Sequence, residues 1–254
     1  MSLASPLPSP KERGKIHFLF ILWMFLFMYS GSQTLHKVYL LPGQGADGRL
    51  FQKLKLENCD TVIIKYPVPE KGERLPAYAK RISAQIDTTQ NFSLIGVSIG
   101  GMIAVELSKL LHPQKIIIIS SAKNRSELPF RYKFLNYVPL NKLFGGRLLK
   151  RMANLARPLV EKEARKDNEI FKSMIRDKHP KFMKRSITCI THWKNKEYPP
   201  NIIHIHGEKD RTIPIRNIKD PIRIKHGGHM IVFTHAEEVS EIINRELNFL
   251  PIVH

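Results

Sequence analysis

A chain of 254 residues with 43% hydrophobic content carries enough apolar material for one well-buried domain, which excludes a disordered or low-complexity protein. Its 41 Lys and Arg against 22 Asp and Glu leave a net charge of +19, so nucleic acid, anionic membrane and anionic small molecules all have to be weighed as partners. Two cysteines, Cys59 and Cys189, exclude a disulfide framework and offer no zinc-ligand spacing, and no Gly-rich phosphate fingerprint is present, so neither metal nor cofactor is expected.

At the N-terminus Lys11, Arg13 and Lys15 precede an apolar run from Phe18 to Tyr29, and the small residues Ser30-Gly31-Ser32 follow. This order predicts a signal peptide over residues 1–32 and a secreted or cell-envelope protein. At about 1.5 Å per residue the run is short for a hydrocarbon core of roughly 30 Å; left uncleaved, it would make the protein membrane-anchored.

Beyond it the elements alternate. A strand is predicted over Lys37 to Leu41, a helix over Arg49 to Leu56, a strand over Thr61 to Lys65 and a helix over Arg74 to Asp87. A strand from Asn91 to Val97, a helix from Ile99 to Leu111 and a strand from Lys115 to Ile119 follow. This alternation predicts an α/β fold: a mostly parallel twisted sheet covered by helices on both faces.

The texture changes after Ser121. From Ala122 to Tyr198 only helical patterns occur, such as Leu148, Leu149, Met152 and Leu155, interrupted by Pro139, Pro158 and Pro180. This predicts a helical cap over 122–198, inserted into a core made of 33–121 and 199–254. The insertion holds 20 Lys and Arg against 7 Asp and Glu, a net +13 of the chain's +19. Such a surface can attract an anionic substrate or an anionic membrane, or can simply be solvated helix faces. No aromatic-interleaved pattern or nucleic-acid motif accompanies it, so nucleic acid is not expected. After Pro199-Pro200 a strand over Asn201 to His206 ends at Gly207, another runs from Pro221 to Lys225, and a helical stretch begins at Ala236.

Three segments at predicted strand ends carry chemistry. Ser98 stands in Gly96-Val97-Ser98-Ile99-Gly100-Gly101, between a buried strand and a helix, with small neighbours that permit a tight turn. A serine hydroxyl is a poor nucleophile until an imidazole takes its proton, and that imidazole needs a carboxylate to hold its tautomer. Asp210, in Gly207-Glu208-Lys209-Asp210, lies just past the carboxyl end of its strand, where open parallel sheets keep functional residues. The competing carboxylate, Asp220, precedes its strand and belongs to the opposite edge. His229, in His226-Gly227-Gly228-His229, is the candidate base because two glycines let its loop curl toward the serine, with His226 as the alternative. The backbone amides of Gln44, in Pro42-Gly43-Gln44-Gly45, and of Ile99 are the candidate donors for an oxyanion.

With the order Ser, Asp, His and these surrounding motifs, the chain resembles a compact member of the α/β-hydrolase superfamily over roughly Leu35 to Leu250. It begins at what would be the family's third strand, and Pro42 stands where many members carry His. The resemblance implies a serine hydrolase with a helical cap that cleaves a small-molecule carboxylic ester or thioester through an acyl-enzyme, with Ser98, His229 and Asp210 as nucleophile, base and acid. Lipases, C–C bond hydrolases and cofactor-free peroxidases use the same trio, and a non-catalytic binding protein would keep it as a ligand pocket.

Overall fold

The structure, a computed structural model, describes residues 35–134, 145–160 and 167–247. Six strands form one parallel sheet: β1 (His36–Leu41), β2 (Cys59–Ile63), β3 (Phe92–Val97), β4 (Lys115–Ile119), β5 (Ile202–Gly207) and β6 (Ile222–Ile224), in the order β2-β1-β3-β4-β5-β6. The chain winds outward from β1 to β2 and then in the opposite direction from β3 to β6, so its switch point falls between β1 and β3. Crevices for ligands open at the carboxyl ends of strands at such a point.

Helices cover both faces, as the alternation predicts. They are α1 (Leu75–Ser83) and α2 (Ile99–Leu111), then α3 (Phe130–Phe134), α4 (Gly146–Val160), α5 (Asn168–Asp177) and α6 (Pro180–Thr191) between β4 and β5, and finally α7 (Ile231–Thr234) and α8 (Ala236–Leu247). Successive strand residues point to opposite faces, and the core divides accordingly. Tyr39, Leu41, Ile116 and Ile118 pack with α1 and α2, while Val38, Leu40, Ile117 and Ile119 pack with α7 and α8. Runs such as Lys115-Ile116-Ile117-Ile118-Ile119 are therefore apolar throughout rather than alternating.

Two expectations are adjusted. The helix over Arg49 to Leu56 shrinks to one 3₁₀ turn, Gly48–Phe51, capped by the Asp47 side chain. The backbone beyond it bonds instead to α8: Lys55 N–H donates to Ser240 Oγ (3.0 Å), Asn244 Nδ2 donates to the Lys55 carbonyl (2.9 Å), and Glu57 N–H donates to Asn244 Oδ1 (3.1 Å). Pro158 lies in the last turn of α4, where it removes a single intrahelical bond, rather than ending the helix. Pro180 does interrupt the pattern as expected: α5 ends at Asp177 and Pro180 opens α6, a position that lacks an intrahelical N–H bond anyway; Pro139 lies outside the described residues.

The expected location is corrected as well. Among the described residues no helix is long and apolar enough to cross a membrane. The helix α2, apolar along most of its length, has 13 residues and rises about 20 Å, against a hydrocarbon core of roughly 30 Å. The segment 1–32, on which the secreted or envelope expectation rests, lies outside the described residues.

The helices between β4 and β5 are fastened to the core at both ends. Near the start of the insertion, buried Lys123 pairs with buried Glu127 (3.4 Å) and also donates to the Lys219 carbonyl beside β6. Near its end, the buried Trp193 indole N–H donates to Glu106 Oε1 of α2 (2.7 Å). Cys59 and Cys189 are free thiols, and burial pushes the Cys189 thiol up to about 12, which keeps it protonated and unreactive.

Candidate active site

Ser98 caps the carboxyl end of β3 with φ 54° and ψ −121°, a left-handed conformation that costs on the order of 1–3 kcal/mol and persists only where its surroundings enforce it. They do so here. Ser98 N–H donates to the Ile119 carbonyl (3.0 Å), and the Ser98 carbonyl accepts from Ser121 Oγ (2.6 Å) and Gly101 N–H (3.0 Å). A β-carbon on Gly96 would run into the Gly100 carbonyl, and one on Gly100 into the Leu41 main chain, so strand and helix meet this closely only without side chains.

The acid and base loops lie side by side. Lys209 N–H donates to the Gly227 carbonyl (2.8 Å) and Glu208 N–H to the Ile224 carbonyl (3.1 Å), which brings Asp210, 4% exposed, against His229, 5% exposed. His229 Nδ1 stands 2.7 Å from Asp210 Oδ2, and His229 Nε2 stands 3.1 Å from Ser98 Oγ. An ionised carboxylate only accepts, so Nδ1 carries the imidazole proton, and Nε2 is free to accept from the Ser98 hydroxyl. Asp210 Oδ1 accepts from Thr212 N–H (2.7 Å) and Ile213 N–H (2.8 Å). Burial opposes the charge of Asp210, but His229 beside it and the hydrogen bonds from His206 and His229 outweigh burial and hold its carboxyl well below the usual carboxylate range.

Ser98, His229 and Asp210 are thus brought together, while the two alternatives are not. Asp220 is exposed before β6, and His226 is exposed on its loop; both have positive φ. Ser121, the other serine beside the turn, spends its hydroxyl on the Ser98 carbonyl. Of the two amide candidates, Ile99 is the first residue of α2, whose leading N–H groups have no intrahelical partner. Gln44 lies beside Ser98 on the cavity wall, and its side chain is tied to α6 through Ser186 Oγ (2.8 Å).

A cavity of about 420 Å³ opens above Ser98 and His229. Its walls include Leu50, Ile175, Ile190 and Met230, with Arg131, Tyr132, Arg211 and Thr212 as polar members. All four described helices between β4 and β5 contribute: Arg131 and Tyr132 from α3, Ala153 from α4, Ile175 from α5 and Ile190 from α6. None of these residues was singled out from sequence, because the helical pattern gives the apolar face of each helix but not the surface that face meets. His204 and His206 were missed too, although their i, i+2 spacing puts both on one face of β5.

A parallel α/β sheet with a strained serine turn at its switch point, and an imidazole and carboxylate aligned behind it, defines the serine-hydrolase class of architecture. Residues 23–242 match the Alpha/beta hydrolase family, and the chain belongs to that family. No curated protein sequence matches significantly. Among solved structures, MenH from S. aureus superposes with a TM-score of 0.68 at 14% identity, over 86% of this chain and 95% of that one. The esterase EaEST from Exiguobacterium antarcticum gives 0.59 at 17% identity, over 84% and 92%, and a bromoperoxidase from Bacillus anthracis gives 0.60 at 16% identity, over 85% and 92%. At these identities the likeness is one of fold.

Proposed function

We propose that the chain is a serine hydrolase that cleaves small carboxylic esters or thioesters through an acyl-enzyme on Ser98. The observation that carries this reading is the hydrogen-bonded series Ser98, His229, Asp210 at the floor of a largely apolar cavity. Ser98 Oγ attacks the acyl carbon while its proton passes to His229 Nε2, and Asp210 holds and stabilises the imidazolium. The carbonyl oxygen becomes an oxyanion facing the amides of Gln44 and Ile99, the second of which also supplies the positive end of the α2 dipole. The tetrahedral centre then collapses: the C–O or C–S bond breaks, and the leaving group takes the proton from His229. Water, deprotonated by the same imidazole, attacks the acyl-enzyme and returns Ser98.

The esterase among the similar folds fits this reading. The polar part of the cavity adds detail: Arg131 and Arg211 are among its lining residues, and no Asp or Glu side chain is among the described ones. Arg131, whose guanidinium also donates to the Arg211 and Thr212 carbonyls, comes from the insertion and Arg211 from the acid loop, and this basic wall supports an ester that carries an anionic group. The direct test is turnover of p-nitrophenyl acetate and of a p-nitrophenyl ester of a dicarboxylic acid by the purified chain. Catalysis of both with an initial burst of nitrophenol is expected, and no turnover of either would favour a ligand-binding role for the pocket.

A further inference from the structure

Behind the acid lies a second pair of imidazoles that the scheme above does not use. His206 is fully buried and His204 is 2% exposed, both on β5. His206 Nε2 faces two acceptors, the Ile213 carbonyl at 2.8 Å and Asp210 Oδ2 at 3.2 Å. Two acceptors fix a proton on Nε2. His206 Nδ1 faces His204 Nε2 at 3.1 Å, so one of the two nitrogens has to donate. With a His206 proton placed on Nε2 by these acceptors, the donor between the two rings is His204 Nε2–H, which leaves His204 Nδ1 bare. That atom has no hydrogen-bond partner among the described residues.

Burial first, and then neighbouring His206 and Lys123, favour the neutral form of His204 over the opposing pull of Asp210 and of the Ser121 backbone. A row of oriented N–H groups therefore approaches the carboxylate from behind: His204 to His206, and His206 to Asp210. His229 Nδ1–H reaches the same oxygen, Oδ2, from the front. Oδ1 is held separately by the Thr212 and Ile213 amides, so all four donors around Asp210 are accounted for.

We propose that His206 is a positioning residue: its Nε2–H, fixed in tautomer by His204, shares Asp210 Oδ2 with His229 and so sets how strongly the carboxylate supports a proton on His229. The inference rests on the reading of Asp210 and His229 as acid and base. A donor on Oδ2 draws negative charge away from the imidazolium, so its removal makes His229 a stronger base. The charged or titratable groups that also act on this array include Lys123, itself paired with Glu127, and Tyr132; all remain in place in every variant used.

The test is a pair of variants with two readouts. In His206→Leu, the acid limb of kcat/KM and the titration midpoint of His229, followed by NMR of ¹⁵N-labelled imidazoles, should both rise by about one unit. In His206→Gln, whose amide N–H can occupy the Nε2 position, both should stay near wild type. A uniform loss of kcat in His206→Leu with no movement of either midpoint would reduce His206 to a packing residue and overturn the proposal. If the protein turns over no ester but the His229 midpoint still moves, the functional reading fails and the positioning role stands. Should His206→Leu not fold, the wild-type NMR spectrum decides alone. It must show Nε2–H tautomers for both His204 and His206 throughout the titration of His229, and an Nδ1–H tautomer for either one would contradict the proposal.

Discussion

At the scale of single residues, a few polar atoms and their distances determine what the site can do. His229 stands within reach of both Ser98 and Asp210, whereas His226, three residues earlier, is exposed on the loop. His229→Ala should lower kcat for ester hydrolysis by several orders of magnitude and His226→Ala by less than about threefold; steady-state kinetics on both variants checks this. Asp210 makes a second prediction. Its folded-state ionisation lies below the ordinary value, so its contribution to stability is fully present above about pH 4 and is lost as the pH falls toward the folded-state value. The stability difference between wild type and Asp210→Asn, measured by urea unfolding, should therefore shrink between about pH 5 and about pH 3; a difference that stays constant would mean the charge is not what Asp210 contributes. Ser98, Asp210 and His229 were legible in the sequence because each follows a predicted strand and sits among residues that permit a turn. The His204 and His206 pair was not, because an alternating histidine in a buried strand reads as core until the carboxylate it faces is known.

The elements fix how the Ser98 turn and the helices above it are held together. The helix α2 does two things: its first turn receives Ser98 from β3, and its buried Glu106 accepts from Trp193 at the end of the insertion, with Lys109 as a second partner (3.0 Å). Glu106→Leu removes that acceptor and leaves a buried indole N–H unmet, a cost of about 1–3 kcal/mol. Chemical denaturation should record a loss in that range, and a variant as stable as wild type would show that Trp193 finds another partner at no cost. Most of the sheet was readable at this scale, because runs such as Phe92–Val97 and Lys115–Ile119 are short, apolar and bounded by turn residues. The segment 49–56 was not. Around its end, Lys55 and Glu57 bond to Ser240 and Asn244, almost two hundred positions away, and local periodicity carries no trace of such partners.

Across the whole molecule, charge and site fall in the same region. The basic excess is concentrated in the insertion, and the insertion supplies a wall of the cavity above Ser98. Exposed charges are screened over about 8 Å at physiological ionic strength, so attraction of an anionic ester should weaken as salt is added while the chemical step is unaffected. The expected result is a kcat/KM that falls with salt for an anionic ester and stays level for a neutral one; equal dependence for the two would return the basic residues to the role of solvated helix faces.

A serine made nucleophilic by His229 reacts covalently with a fluorophosphonate, and Ser98 is the residue expected to carry the label. Wild-type protein treated with a fluorophosphonate should gain one phosphonyl group, located by peptide mass spectrometry on the tryptic fragment that contains Ser98. Ser98→Ala should gain none and should lose ester turnover while its circular dichroism spectrum stays unchanged. Label found on another residue, Ser121 included, or turnover retained by Ser98→Ala, would contradict the account.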